Sequence, residues 1–210
     1  MSHPSPAPDR PSRRTIEPAD LLRLRAVGDV ALHPDRRTVA YTVVWPDAAT
    51  DANRSQLFAI DLEGGDARAL THGHRDTGPT FSPDGSRLGF IRTEPDGPSQ
   101  VMVLSWPVGE ILEAARFDDD VQRLGWSAAS DGSGPRLLVL ATTRPVGQHG
   151  VDDRELERRP RILTTIDYRF NGRGYINDRP RQLFVLPYPT GDATARPGGR
   201  PQGRPDNPVA

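Results

Sequence analysis

One short phrase recurs along the chain, and its recurrence limits the fold more than any other feature. It is intact at Phe81-Ser82-Pro83-Asp84-Gly85-Ser86-Arg87-Leu88-Gly89-Phe90. Pro83 presets φ, Asp84 can bond its own backbone, and Gly85 can take the positive φ of a tight hairpin turn. Strand-like residues follow at Leu88, Phe90 and Ile91. The same device stands 49 residues earlier as His33-Pro34-Asp35-Arg36-Arg37-Thr38-Val39-Ala40-Tyr41. A weaker copy starts 45 residues later at Trp126-Ser127, its turn stretched into Ala128-Ala129-Ser130-Asp131-Gly132. A second phrase also recurs. Gln56-Leu57-Phe58-Ala59-Ile60 is echoed by Gln100-Val101-Met102-Val103-Leu104 and by Gln182-Leu183-Phe184-Val185-Leu186. A supersecondary unit at this period signals a propeller or a solenoid.

The spacing predicts an all-β fold: a partial β-propeller of about three four-stranded blades, spanning 28–190. The first unit covers roughly 29–72 and the second roughly 78–118. The last element of the second, around Glu110–Ala115, reads as a strand or a short helix. The third unit starts at Val121 and is interrupted at 144–181. Loop closure costs little extra as loops lengthen, so Leu137–Thr142 and Gln182–Leu186 are expected to pair across the interruption. A short helix is expected over 15–27, with Pro18 in its first turn and Leu21, Leu22 and Leu24 on an apolar face. Residues 1–14 are rich in Pro, Ser and Arg and residues 191–210 in Pro, Gly, Arg and Asp, too polar to bury a core, and both read as disordered.

Composition narrows the function classes. The net charge is −1, so no global field favours nucleic acid or a membrane surface. The chain has no cysteine, which excludes disulfides and thiolate chemistry. Neither an apolar signal segment nor a run of about 20 apolar residues is present. The expectation is a soluble, cytoplasmic protein. All 27 basic residues are arginine, a usage that fits a GC-rich coding sequence.

Three stretches invite a chemical reading. Gly125-Trp126-Ser127-Ala128-Ala129 approaches a nucleophile elbow, but Ala replaces its last glycine and Ser-Asp-Gly-Ser-Gly-Pro follows where a helix is needed. Ser127 therefore reads as a turn serine. His72 and His74 lie on an expected loop without the further ligands that zinc requires. Asp118-Asp119-Asp120 lacks the alternating pattern of a calcium loop. No catalytic, metal or cofactor residue is assigned. The arginines of the interruption (Arg161, Arg169, Arg173, Arg179, Arg181) suit carboxylate recognition through their planar fork. Among them Arg169 and Arg173 are the candidate substrate contacts. Trp45, Trp106 and Trp126 sit at strand ends and are expected to pack between blades.

Three segments, in this order, resemble the start of a prolyl-oligopeptidase-type serine peptidase of the acylaminoacyl-peptidase kind. They are Pro18-Ala19-Asp20-Leu21-Leu22-Arg23-Leu24-Arg25, then Phe81–Gly85, then Tyr168-Arg169-Phe170-Asn171-Gly172-Arg173-Gly174-Tyr175 before Gln182-Leu183-Phe184-Val185. The resemblance covers roughly 15–188. His33-Pro34-Asp35-Arg36 departs at two positions from the Ser-Pro-Asp-Gly form. The resemblance implies a propeller that gates access of peptides to an α/β-hydrolase domain bearing a Ser-Asp-His triad. No triad residue has a counterpart in this sequence, so the chain by itself is expected to be non-catalytic. Two other readings stay open: a TolB-like or WD40-like propeller that binds a protein partner, and a truncated or frameshifted product. Three blades cannot close a ring, so exposed faces around Val39, Tyr41, Leu138 and Leu140 are expected to drive self-association.

Overall fold

The computed structural model describes residues 14–187, apart from 96, 118, 129–133, 144–152, 161–162, 164–165, 167, 171–173 and 176–179. The segments 1–13 and 191–210, read above as disordered, lie outside the described residues. Antiparallel meanders dominate. The first is β1 (Ala26–Leu32), β2 (Thr38–Asp47), β3 (Ala52–Asp61) and the two-residue β4 (Arg68–Ala69). The second is β5 (Arg75–Phe81), β6 (Arg87–Thr93), β7 (Ser99–Ser105) and β8 (Ile111–Phe117). A single parallel bridge, Ser55 to Arg75, joins the two. The third unit has three strands among the described residues: β9 (Val121–Ser127), β10 (Arg136–Thr142) and β13 (Arg181–Pro187). These are three successive blades of a partial β-propeller.

Between β10 and β13 lie a short helix α1 (Asp153–Arg158) and a small hairpin of β11 (Arg169–Phe170) and β12 (Gly174–Tyr175). β10 and β13 nevertheless pair without a break, from Arg136 opposite Pro187 to Thr142 opposite Arg181. The pairing expected across the interruption is present, with Leu138 opposite Val185 and Val139 opposite Phe184.

Strand alternation gives each blade two apolar faces. Ala40 and Leu57 on the rear of blade 1 meet Leu88, Phe90, Met102 and Leu104 on the front of blade 2. Ile91, Val101 and Val103 on the rear of blade 2, with Ala115 and Phe117, meet Leu137, Val139 and Ala141 of blade 3. The core is thus two inter-blade seams. Trp106 and Trp126 pack against these seams, as their positions suggested. Trp126 also donates its indole N–H to the Thr80 carbonyl at 3.1 Å. Trp45 differs: the Arg25 guanidinium lies 5.4 Å from its ring centroid, so it serves the N-terminal segment.

Two local expectations about the N-terminal helix need correction, and the alternative left open at 110–115 is resolved. The N-terminal helix is a 3₁₀ turn confined to Pro18–Arg23, held by a capping box between Glu17 and Asp20. Ala26 and Val27 belong to β1, because they pair with Val44 and Val43. The helix buries none of its residues, and Leu21, Leu22 and Leu24 are exposed. The 110–115 element resolves as strand, since β8 pairs along β7.

The recurrent turns behave as their chemistry dictates. The Gly85 amide donates to the Ser82 carbonyl at 2.9 Å, and the Arg36 amide donates to the His33 carbonyl at 2.9 Å. Gly85 has φ +73°, and Arg36, at the matching position, is forced to φ 60°. A Cβ on Gly85 would also stand 2.6 Å from Nε2 of His33, which reaches across from the preceding blade. Gly85→Ala is therefore expected to cost about 1–3 kcal/mol from the backbone alone, with displacement of His33 in addition. Arg36→Gly should relieve strain and gain up to about 1 kcal/mol. Urea titration of the two variants checks both signs.

Candidate functional site

The antiparallel order sorts the connections to two ends of the arc. The Pro-Asp turns at 33–37 and 82–86, and the connections at 62–67 and 106–110, lie at one end. The connections at 48–51, 70–74, 94–98 and 118–120 lie at the other, where the 143–180 excursion also leaves and returns. Its neck is tied by the Thr143 amide donating to the Pro180 carbonyl at 3.0 Å and the Thr142 amide donating to Asp120 at 3.0 Å.

At the turn end, His33 links two blades. Its Nδ1 accepts from the Asp35 amide at 3.1 Å, and its Nε2 lies 3.0 Å from the Gly85 carbonyl oxygen. The ring sits edge-on to Phe81 at 4.7 Å and beside Trp106 at 5.6 Å. Arg68 covers the other part of Trp106 at 5.0 Å and donates to the Pro107 carbonyl at 3.1 Å. The amides of Thr38 and Arg37 donate to Asp35 and hold its carboxyl well below the ordinary carboxylate range. For Asp84, partial burial pushes the carboxyl up. The Ser82 and Ser86 hydroxyls and the Ser86 amide outweigh that and hold it low.

At the excursion end, one carboxylate is fully buried. Asp76 on β5 takes a bidentate grip from Arg92 on β6, at 2.8 Å from Nε and 2.9 Å from Nη2. The carboxylate in turn holds the Arg92 guanidinium above its ordinary range. The Gly73 amide donates to the same carboxylate at 3.2 Å. A Cβ on Gly73 would fall 2.6 Å from Asp76 Oδ1 and 2.6 Å from Arg92 Nε, so the residue between His72 and His74 must be this small. The Ser55 hydroxyl donates to the Asp76 carbonyl at 2.9 Å and brings blade 1 to the junction. Asp76, Arg92, Gly73 and Ser55 carry no motif, and sequence reasoning missed them. Among the described residues their one signal is Arg75-Asp76 opening β5, with Arg92 directly opposite Asp76 on β6.

The residues singled out in the sequence fall as follows. Arg169 is exposed on β11, opposite Tyr175, and Arg181 is exposed at the neck. Arg161, Arg173 and Arg179 lie outside the described residues. Ser127 ends β9 opposite Arg136, and its hydroxyl donates to the adjacent Ala128 carbonyl at 3.1 Å. Its counterpart Ser82 is buried and is built into its turn through Asp84 and the Arg87 amide. His72 is exposed and His74 half-buried on the blade 1 to blade 2 connection. Among the described residues no group of three His, Cys, Asp or Glu side chains could hold a metal ion. Among them, too, no helix is long and apolar enough to cross a membrane.

These features define a class: a partial β-propeller with an arginine-bearing excursion at one end. In fold it is similar to part of a solved acylaminoacyl peptidase. Pyrococcus horikoshii acylaminoacyl peptidase superposes with a TM-score of 0.61 at 15% identity, over 80% of this chain and 24% of that one. In sequence, the chain is 25% identical over 185 residues to the uncharacterized peptidase YuxL of Bacillus subtilis, covering 86% of this chain and 27% of that protein. It is 30% identical over 80 residues to dipeptidyl-peptidase 5 of Porphyromonas gingivalis, covering 38% of this chain and 12% of that protein. The chain thus spans about a quarter of YuxL. No family model matches it.

Two outcomes are expected from this geometry. Asp76→Asn removes the anion while leaving Arg92 largely enclosed, and should destabilise by about 3 kcal/mol in urea titration. The second concerns acid. Asp35 and Asp84 are held low in the folded state, so their stabilisation is present above the ordinary carboxylate range and lost as pH falls through it, between roughly pH 5 and pH 2. Denaturant midpoints measured across that window should fall with pH, and Asp35→Asn with Asp84→Asn should flatten the slope.

Proposed function

We propose that this chain is the substrate-gating propeller portion of a serine peptidase of the prolyl-oligopeptidase kind. The observation that carries the reading is the three-bladed arc itself, superposable on an acylaminoacyl peptidase over 80% of the chain. The peptidase names of the relatives in sequence support the same class. In this reading serine, base and oxyanion donors belong to a separate α/β-hydrolase domain, with acyl transfer as the chemistry. The propeller limits which peptides reach that domain, and the setting is cytoplasmic.

Arg169 and Arg173 are the groups proposed to meet substrate. A guanidinium offers a planar pair of donors to a peptide carboxylate, and a charge-assisted hydrogen bond is worth about 1.5–3 kcal/mol. Titration of the 210-residue chain with a short acylated peptide should show weak binding, with Arg169→Ala lowering affinity about tenfold. The same chain should turn over no acyl-amino-acid anilide. Turnover abolished by Ser127→Ala would overturn the reading, because the nucleophile would then lie on β9.

A further inference from the structure

Blade 2 carries a buried ion pair at a position that its neighbours fill with apolar residues. Asp76 on β5 stands directly opposite Arg92 on β6. In blade 1 the same two positions, each 49 residues earlier, are Val27 opposite Val43. In blade 3 they are Val121 opposite Ala141, both buried. Two apolar side chains therefore serve the packing at this place in the repeat. Exchanging a buried ion pair for well-packed apolar residues is often neutral or stabilising. A charged pair in blade 2 alone, among these three blades, points to a task other than filling the sheet.

The geometry of the guanidinium shows which task. Its N–H donors lie in one rigid plane and offer two forks. Asp76 takes the side fork, through Nε and Nη2. Its carboxylate is fully buried and is itself held by the Gly73 amide, so the plane of the guanidinium is fixed from behind. The end fork is Nη1 with the second hydrogen of Nη2, and it has no partner among the described residues. The Arg92 side chain keeps 19% of its surface exposed. A Cβ on Gly73 would strike Nε, so the 70–74 connection passes the head group only as glycine. Glu94, on the connection after β6, is near enough to act on Arg92 by charge. With Asp76 it places two carboxylates around one guanidinium, which disfavours a doubly charged anion. A single carboxylate, planar and with two oxygens, matches the fork.

We propose that the end fork of Arg92 is a carboxylate-binding site, oriented by Asp76 and left open by Gly73, that takes the free C-terminus of a peptide or the side chain of an acidic residue. The site belongs to blade 2. It rests neither on the peptidase reading nor on the arginines of the excursion.

Nuclear magnetic resonance on the 210-residue chain tests it, through the amide signal of Gly73 and the Nε–H signal of Arg92. The probes are an N-acetylated tripeptide with a free C-terminus, the same peptide amidated, an amidated peptide carrying one glutamate, and inorganic phosphate. The free acid and the glutamate peptide should move both signals, and the amidated tripeptide should move neither. Arg92→Lys keeps the charge and loses the fork, so the shift at Gly73 should need about tenfold more of the free acid. Asp76→Val combined with Arg92→Val copies the blade 1 pair. That variant should keep a denaturant midpoint near the parent's and show no response at Gly73. Arg169→Ala should leave the Gly73 response intact, so failure of the excursion contacts would not register here. Signals that stay still with both carboxylate peptides would overturn the proposal, as would equal movement with the amidated tripeptide. A stronger response to phosphate would overturn the carboxylate assignment, and undiminished binding by Arg92→Lys would overturn the fork. A destabilised double variant together with a silent titration would assign the pair to packing alone.

Discussion

The structure depends on sheets packing face to face in sequence along the chain. No blade has a core of its own. Leu88 and Phe90 are buried only because Ala40 and Leu57 lie against them, and Leu137 and Val139 only because Val101 and Val103 do. Burying a large apolar side chain contributes roughly 1.5–3 kcal/mol, while a domain's net stability is only about 5–15 kcal/mol. Each seam is therefore comparable to the whole margin, and blade 2, which takes part in both, is the member that the other two need. Among the described residues, the front of blade 1 and the rear of blade 3 have no sheet packed on them.

Polar contacts refine what the seams establish. The Asp76–Arg92 pair sits where the chain passes from blade 1 to blade 2, and Ser55 and Gly73 converge on it. At the opposite end His33 reaches the Gly85 carbonyl. Farther along β5, the Gly78 amide donates to Asp29 of blade 1 at 3.2 Å. Apolar seams tolerate sliding, because dispersion and hydrophobic burial have little directionality. Fixed hydrogen bonds at both ends and midway set the angle between the blades. That angle fixes how one blade follows the next.

The blade count, the turn chemistry and most strands were legible in the sequence. They rest on local rules: Pro-Asp-Gly makes a turn wherever it occurs, and alternation marks a strand without knowledge of its neighbours. The pairing of Gln182–Leu186 with β10 was legible too, because the phrase it repeats belongs to a central strand in blades 1 and 2. What escaped depends on contacts between blades. Nothing near His33 states that its ring packs on Phe81 and Trp106. Nothing near Gly73 states that a buried ion pair lies within reach of its Cα. Leu21, Leu22 and Leu24 looked like a buried helical face, but a 3₁₀ turn of six residues projects them differently and leaves them exposed. Of the candidate contacts, only Arg169 lies among the described residues, and no local rule states what it faces.

The same antiparallel arithmetic accounts for the position of the excursion. A connection between β10 and β13 can emerge only at the end where Thr142 and Arg181 meet, which is the end that also carries the Asp76–Arg92 junction. Its length is inexpensive. Closing a loop from 143 to 180 costs about 3 kcal/mol by chain entropy, and a ten-residue turn would already cost about 2 kcal/mol. Against that difference stands an unbroken ladder from Arg136–Pro187 to Thr142–Arg181, with Leu137 and Val139 buried on it and Phe184 and Leu186 packed beside them. The ladder wins by a wide margin, so the blade closes whatever the connection contains. The ladder therefore leaves the length of the connection between its two strands open.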